Sequence, residues 1–515
     1  PILLTARVTD PSSFGASPLL STVPLANPFL AAFFEQVHHQ VLAVDLDVEG
    51  LESLVADLRD SQIEAVLDQF GAGGSHADPV VHFYEEFLKQ YDSSKRMAAG
   101  AFYTPQPVVR FMLRAVDEIL NTRFGLVDGV ADDSTWAEVA DHNGFDVPNG
   151  IDPNSAFISM VDPATGTGTY LIEWMRQAHE SFTANHPESE WPAHLAEQVL
   201  PSMHGFELML GPYAIAHLKL ALETHRFGID MDPNTVLLTD TLDHPGPQPA
   251  FDLLEDPIAA EGQRTDQLKT DNRFTICIGN PPYGREQHSP TANVGKRQGG
   301  AIRHGAPGLP PLLGAYITPL KEAGEGKHAK NLYNLYVYFW RWATWQTTEL
   351  PQGPGISAFI TASSFLDGKS FAGMRQHLRE HFDEILVIDL GGEGRGARTE
   401  ENVFDILTPV AIAICLRRAG HSTSCQARYV RIEGSREEKF AALEDSVPLL
   451  DRLKPIEGSG PSSLVPTSDS PYYDHPKVSD LFPWLHSGCQ VKRTWPIGPS
   501  DEVLRNRWDE LCGMR

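Results

Sequence analysis

The stretch Thr275-Ile276-Cys277-Ile278-Gly279-Asn280-Pro281-Pro282-Tyr283-Gly284 decides the fold: an apolar run that ends on an amide, two prolines and an aromatic ring. A short apolar run bounded by Gly and Pro reads as a strand buried on both faces, as in parallel sheets. Proline has no N–H to give to a ladder, so the strand stops there and a rigid loop begins. Ligands of open α/β sheets bind beyond the carboxyl ends of strands, which predicts a crevice at Asn280 and Tyr283. Taken alone, Asn-Pro-Pro also reads as a plain turn, since Asn before Pro commonly starts one.

Upstream, residues 157–161 predict a strand that runs into Asp162-Pro163-Ala164-Thr165-Gly166-Thr167-Gly168-Thr169 and a helix from Tyr170. A glycine-rich turn between strand and helix brings backbone amides close to a ligand. The third glycine of Gly-x-Gly-x-x-Gly is missing, and Asp162 precedes the turn. A carboxylate there suits a ligand with an ammonium group better than one with a pyrophosphate. The next strand, Met203 to Leu208, carries Glu207 where doubly wound sheets bind ribose hydroxyls. The insertion 174–201 accounts for its extra distance from the glycine turn. A helix over 213–226 crosses to a strand over 236–240 that ends in Asp240. One acid at a strand end is usually a solvated loop residue, but three closing successive strands form a row. Ahead of all this, Phe102-Tyr103-Thr104-Pro105 leads into an apolar stripe from Val108 to Leu120. It reads as a helix with Thr104 as N-cap and Pro105 in the first turn, the two aromatics forming a lid over a small ligand.

Downstream, residues 284–331 read as a long Gly/Pro-rich loop with a local excess of Lys and Arg, suited to phosphate contact. The aromatic helix from Asn331 to Trp340 reads as core. Strands over 355–360, 384–390 and 409–416, with a helix over 370–381, complete the alternation, and Arg395 and Arg398 mark a second basic loop. The expected architecture is α/β: a Rossmann-like doubly wound sheet in three layers over residues 99–420, with a helical N-terminal coupling domain over 1–98 and a C-terminal extension over 421–515 that includes a Pro/Ser-rich linker beyond Glu457.

At 515 residues and a net charge of −27, the chain can bury a large core and is no polycationic nucleic-acid binder, although a local basic groove remains compatible with it. Its five cysteines are scattered with no Cys-x-x-Cys pair, which points away from a disulfide framework or a zinc site, predicts no metal, and fits a reducing cytoplasm. No apolar run approaches the ~18 residues of a membrane span. The start at Pro1 rather than Met fits a processed product or a piece of a longer protein.

The residue types suggest methyl transfer to an exocyclic amine. Such an amine is a poor nucleophile because its lone pair is delocalised into the ring; the Asn280 side-chain oxygen and the Pro281 carbonyl can accept its hydrogens and restore lone-pair character. Tyr283 would stack on a base that has left its duplex. The order 100–105, 162–168, Glu207, Asp240, 280–283 clearly resembles the γ-class N6-adenine DNA methyltransferases. Gly205-Phe206-Glu207-Leu208-Met209, Phe365-Leu366-Asp367-Gly368-Lys369-Ser370-Phe371 and Arg493-Thr494-Trp495-Pro496-Ile497-Gly498-Pro499 look most like the methyltransferase portion of Type ISP restriction-modification enzymes and the DISARM phage-defence methylase.

The resemblance implies S-adenosylmethionine as cofactor and double-stranded DNA as partner. By it, Phe102, Tyr103, Thr104, Asp162, Ala164, Gly166 and Gly168 hold the cofactor, with Glu207 on its ribose and Asp240 on its adenine. Asn280, Pro281 and Tyr283 carry the chemistry, and Phe404 covers the far face of the flipped base. Type ISP enzymes place a nuclease and a helicase ahead of this region; Leu366 to Ser370 has a Gly-Lys-Ser ending but Ser363 where a Walker A motif needs glycine. The residues after Arg418 look too few for a complete target-recognition domain, which leaves that element outside the chain or on a partner subunit. An RNA or protein-glutamine methyltransferase, and a non-catalytic cofactor-bound DNA-binding subunit, are the alternatives.

Overall fold

The computed structural model describes residues 104–465 apart from 233, 245–256, 285–298, 394–399, 405, 419–423 and 446–447, together with residue 57, residues 59–61 and parts of 466–513. Phe102, Tyr103, Arg395, Arg398 and nearly all of the expected N-terminal helical domain lie outside the described residues. Residues up to 465 form one unit and 466–515 another, in which the helix Asp501–Gly513 is the main element.

Helix α1 (Gln106–Ile119) buries the predicted stripe, including Val108, Val109, Met112, Leu113 and Val116. It starts one residue later than expected: Pro105 is the N-cap, Pro107 sits in the first turn, and Thr104 makes no cap bond. Proline's fixed φ begins the helix unaided, which frees the Thr104 hydroxyl for the site described below. A further helix, α2 (Trp136–Asn143), opens on a capping box between Thr135 and Glu138.

Strand β1 (Met160–Asp162) is followed by helix α3 (Thr169–Thr183), β2 (Met203–Glu207), α4 (Leu210–His225), β3 (Val236–Leu238), α5 (Pro257–Asp271) and β4 (Ile276–Gly279). Then come α6 (Gly314–Glu322), α7 (Leu335–Thr344), β5 (Gly355–Ala362), α8 (Ala372–His381), β6 (Glu384–Gly391), β7 (Val410–Arg417), β8 (Gln426–Arg431), α9 (Arg436–Glu444) and β9 (Lys454–Ile456). The sheet order is β3-β2-β1-β4-β5-β7-β6-β8-β9. Strands β3, β2, β1, β4 and β5 are mutually parallel, and β7 runs antiparallel between β5 and β6. The chain winds one way from β1 to β3 and the other way from β4 onward, so the topological switch point falls between β1 and β4.

Both faces of the sheet are covered, and strand periodicity divides the core accordingly. In β7, Val410, Ile412, Ile414 and Leu416 face the layer of α1 and α3, whereas Ala411, Ala413 and Cys415 face that of α7 and α8. Small residues on the second face leave room for the aromatic helix α7, whose Tyr336, Trp340 and Trp342 are buried as core. Trp340 is fully buried, donates to Thr361 Oγ1 at 3.2 Å and packs on Phe359 with ring centroids 5.1 Å apart. Trp340→Ala is expected to cost about 3–5 kcal/mol of stability, measured by chemical denaturation of the full chain.

Residues 299–331 carry short helices where a loop is expected, and Leu313, Tyr316 and Leu320 are buried in the second core. Their prolines and glycines punctuate short helices instead of an open loop. The sheet also passes Arg418, the expected end of the alternation: β8 pairs in parallel with β6, and β9 lines its outer edge. Residues 459–463 are then held on α8 by Arg375 and Arg379, whose guanidinium groups donate to the carbonyls of Gly460, Pro461, Ser462 and Ser463.

Candidate active site

The turns after β1 and β4 flank the switch point, and they carry the two motifs that dominate the sequence. Asp162, the last residue of β1, is fully buried; its Oδ1 accepts the Ala164 amide at 3.1 Å and its Oδ2 has no partner among the described residues. Burial pushes its carboxyl up to about 8, with the nearby Glu207 charge adding and the Ala164 amide opposing. Gly279 makes this approach of the two turns workable: a Cβ there would lie 2.7 Å from Asp162 Oδ1. Gly168 leads into α3 at φ +81°, a left-handed conformation, with Ala216 of α4 close against it.

Glu207 closes β2 and reaches back to the glycine turn, where Oε2 accepts the Gly166 amide at 2.8 Å and Oε1 accepts the Met209 amide at 2.7 Å. Burial raises it to about 7 despite those amide bonds. Leu208, just after it, is exposed. Asp240 lies just beyond β3, its Oδ1 accepting the Leu242 amide at 3.0 Å. Asp162, Glu207 and Asp240 therefore lie at the carboxyl ends of three adjacent strands, as their spacing predicts. Ala164 lies between Asp162 and the glycines and contributes its amide.

Asn280 follows β4 directly and is held at both ends of its amide. Its Nδ2 donates to Thr104 Oγ1 at 2.9 Å, and its Oδ1 accepts the Tyr283 hydroxyl at 2.6 Å. The same hydroxyl lies 3.2 Å from the Ile360 carbonyl of β5. Burial raises the Tyr283 phenol well above its ordinary range, so it remains a donor. Pro281 is buried between them. Phe404 is buried opposite, its ring centroid 6.3 Å from that of Tyr283 at an interplanar angle of 78°. This is edge-to-face contact, the geometry that two aromatic rings prefer to a face-to-face sandwich.

Several groups at the site are invisible in the motif pattern. Tyr170 is buried with its hydroxyl on Met112 Sδ at 3.2 Å, beside Thr104 and Asp162. Thr241 donates to the Pro163 carbonyl, tying the turn after β3 to the glycine turn. Lys269 of α5 donates to the Asp240 carbonyl at 2.6 Å and to Thr239 Oγ1 at 2.9 Å. Tyr170 lies at the start of α3, Thr241 lies in a turn and Lys269 sits in a largely polar helix, so none of them carries a motif signal in the sequence. Away from the site, Glu349, His377 and His381 bring one ligand atom each within 4.8 Å. Arg341 already grips both oxygens of Glu349 at 2.6 and 2.9 Å, so the cluster reads as an ion-pair network tying α7 to α8. Burial opposes ionisation of Glu349, but the His377 bond and the Arg341 charge outweigh it and hold that carboxyl at about 2.

The chain that carries a doubly wound sheet with an antiparallel β7, a glycine turn after β1 and Asn-Pro-Pro-Tyr after β4 matches, over parts of its length, models of DNA-methylase families. More particularly, residues 212–394 match the family model described as Eco57I restriction-modification methylase, and residues 75–130 match N-6 DNA Methylase. Among solved structures, the chain is similar to the ATP-dependent Type ISP restriction-modification enzyme LlaBIII bound to DNA (TM-score 0.65, 20% identity, covering 90% of this chain and 29% of that one). It is similar as well to a nuclease-deletion mutant of the Type ISP enzyme LlaGI in complex with a DNA substrate mimic (TM-score 0.66, 20% identity, 92% and 35%) and to the DrdV–DNA complex (TM-score 0.62, 23% identity, 91% and 41%). The chain thus spans between 29% and 41% of the length of these three. A search of curated protein sequences finds no significant match. Among the described residues no helix is long and apolar enough to cross a membrane.

Proposed function

We propose that this chain transfers a methyl group from S-adenosylmethionine to the N6 amine of an adenine flipped out of double-stranded DNA, marking DNA for restriction-modification or phage defence. The carrying observation is the position of Asn280: its amide bridges Thr104, at the start of α1, to Tyr283, on the turn adjoining the buried Asp162.

The residues fit the cofactor. An orphaned buried carboxylate oxygen beside amide-lined glycines suits a molecule with an ammonium and a sulfonium group, and Glu207 on the neighbouring strand suits ribose hydroxyls. Thr104, Asp162, Ala164, Gly166, Gly168, Glu207 and Asp240 would hold it, with Phe102 and Tyr103 ahead of Thr104. Once bound, the cofactor supplies an electrophilic methyl carbon. The protein's own part is positioning and polarisation. An amide oxygen has two acceptor positions, so the Tyr283 hydroxyl on Asn280 Oδ1 is compatible with a second donor from the adenine amine. The Pro281 carbonyl takes the other amine hydrogen, and the nitrogen lone pair is localised toward the methyl carbon. As the new C–N bond formed, the methyl–sulfur bond would break, leaving the cofactor as an uncharged thioether, and the amine would lose one proton to solvent. Tyr283 and Phe404 open from edge contact to sandwich the base.

Phosphates of the duplex are assigned to the basic residues of 284–331, among which Arg303 lies over the Tyr333 ring at 4.3 Å. Free cysteines among the described residues are in keeping with the cytoplasm, where such a reaction belongs. The sequence-reading element is assigned to residues beyond 465 or to a partner subunit. The test is incubation with labelled S-adenosylmethionine and unmethylated plasmid DNA, followed by nuclease digestion and mass spectrometry. N6-methyldeoxyadenosine is the expected product; label in RNA, in protein or in no product at all would refute the assignment.

A further inference from the structure

Phe404 is held by a helix that belongs to neither motif. The turn from Glu400 to Phe404 lies between β6 and β7, outside the ladder, so its carbonyls need partners from elsewhere. Asn402 supplies part of the frame: its Oδ1 accepts the Phe404 amide at 3.0 Å, and its Nδ2 donates to the Thr408 carbonyl at 2.7 Å and the Gly392 carbonyl at 3.2 Å. Helix α9 supplies the rest. Arg436, in its first turn, donates from Nε to the Asn402 carbonyl at 2.8 Å and from Nη2 to the Phe404 carbonyl at 3.2 Å. One turn on, the fully buried Lys439 donates to the carbonyls of Glu401 at 2.6 Å and Leu390 at 2.7 Å and pairs with Glu400 at 2.8 Å.

The far end of α9 is tied to the opposite wall of the site. Arg114 of α1 donates to the Leu443 carbonyl at 2.6 Å, and α1 begins beside Thr104, which holds the Asn280 amide. One short helix therefore links the support of the proposed catalytic amide to the support of the ring facing Tyr283. A guanidinium is a planar fork; two of its donors fix two carbonyls at once, which an ammonium on a flexible stem cannot reproduce.

We propose that Arg436 is a positioning residue for the target base: by clamping the carbonyls of Asn402 and Phe404 it sets the ring of Phe404 opposite Tyr283. The inference rests on the reading of Tyr283 and Phe404 as the walls of a base slot. Its test uses the full chain with 4-fluorophenylalanine at position 404, alone and combined with Arg436→Lys or Arg436→Ala. Arg436 is partly exposed and sits at a helix start, so both variants are expected to fold, and unchanged S-adenosylmethionine affinity serves as the control.

The parent should give one sharp fluorine resonance, and both variants a broadened or multiple one. Methyl transfer to unmethylated plasmid DNA should lose roughly tenfold in kcat/KM in both, the lysine variant gaining nothing from its charge. A fluorine spectrum that Arg436→Ala leaves unchanged overturns the clamp, as does full activity of Arg436→Lys. A parent that methylates no DNA refutes the proposed function instead, and the fluorine signal still decides the clamp.

Discussion

Asn280→Ala is expected to slow methyl transfer to DNA by about 10²- to 10³-fold, the loss typical of removing one preorganised hydrogen-bonding group from a polar transition state. Cofactor affinity should fall by no more than about tenfold. These magnitudes separate because the two ends of the amide serve different walls. The oxygen faces the acceptor amine in the proposed mechanism, whereas the nitrogen is bonded to Thr104, on the segment assigned to the cofactor lid. One neutral hydrogen bond contributes about 1 kcal/mol, which bounds the effect on the cofactor. The sequence alone predicts that cofactor binding is spared; the Thr104 contact makes a small loss the sharper expectation. The measurement is single-turnover methylation beside calorimetric titration of S-adenosylmethionine. Equal transfer rates for the variant and the parent would refute Asn280 as acceptor, and a hundredfold loss of cofactor affinity would move it to the cofactor wall.

The sheet was legible because its strands are buried on both faces and so read as short apolar runs, while the crossover helices carry stripes. The row Asp162, Glu207, Asp240 was legible for the same reason, since each acid interrupts an apolar run at its carboxyl end. Other features were hidden by physical causes. The N-cap expected of Thr104 fails because Pro105 begins the helix without it, and only the fold brings in Asn280, 176 positions away, as its partner. Helix α2 buries only Trp136, Val139 and Ala140, too few for a clear apolar stripe, although its capping box is present in the sequence. Residues 299–331 were read as loop because Pro and Gly break a pattern that tertiary burial of Leu313, Tyr316 and Leu320 completes. Strands β8 and β9 were missed because the outer sheet edge is exposed: β8 has one buried residue among six, leaving little apolar signal. Phe404 came from family resemblance; its bond with Asn402 is local, whereas the reach of Arg436 from 34 and 32 positions downstream to the Asn402 and Phe404 carbonyls becomes visible only in the fold.

The second large effect expected is a pH dependence of cofactor affinity carried by Asp162. An ordinary aspartate is ionised well below neutrality, but burial lifts this one to about 8, so it is protonated in the free protein at pH 7. A cationic ligand favours the ionised form. Binding below about pH 8 must therefore release a proton, and affinity should rise by up to tenfold per pH unit until about pH 8, then level off. The sign for stability is opposite: the raised carboxyl disfavours the fold progressively as pH climbs from its ordinary value toward 8, and bound cofactor offsets that loss. Asp162→Asn keeps the shape and the Ala164 contact without a titrating group. It should raise stability at pH 7, where the linkage penalty of the buried carboxyl is removed, lower cofactor affinity by at least tenfold near pH 8, and flatten the profile except for the part carried by Glu207, which titrates at about 7. Titration calorimetry between about pH 6 and 9, in two buffers of different ionisation enthalpy, measures both affinity and proton release. If the parent binds S-adenosylmethionine without releasing protons and with a flat profile, Asp162 does not face the cation, and the cofactor must be held by the glycine turn and Glu207 alone.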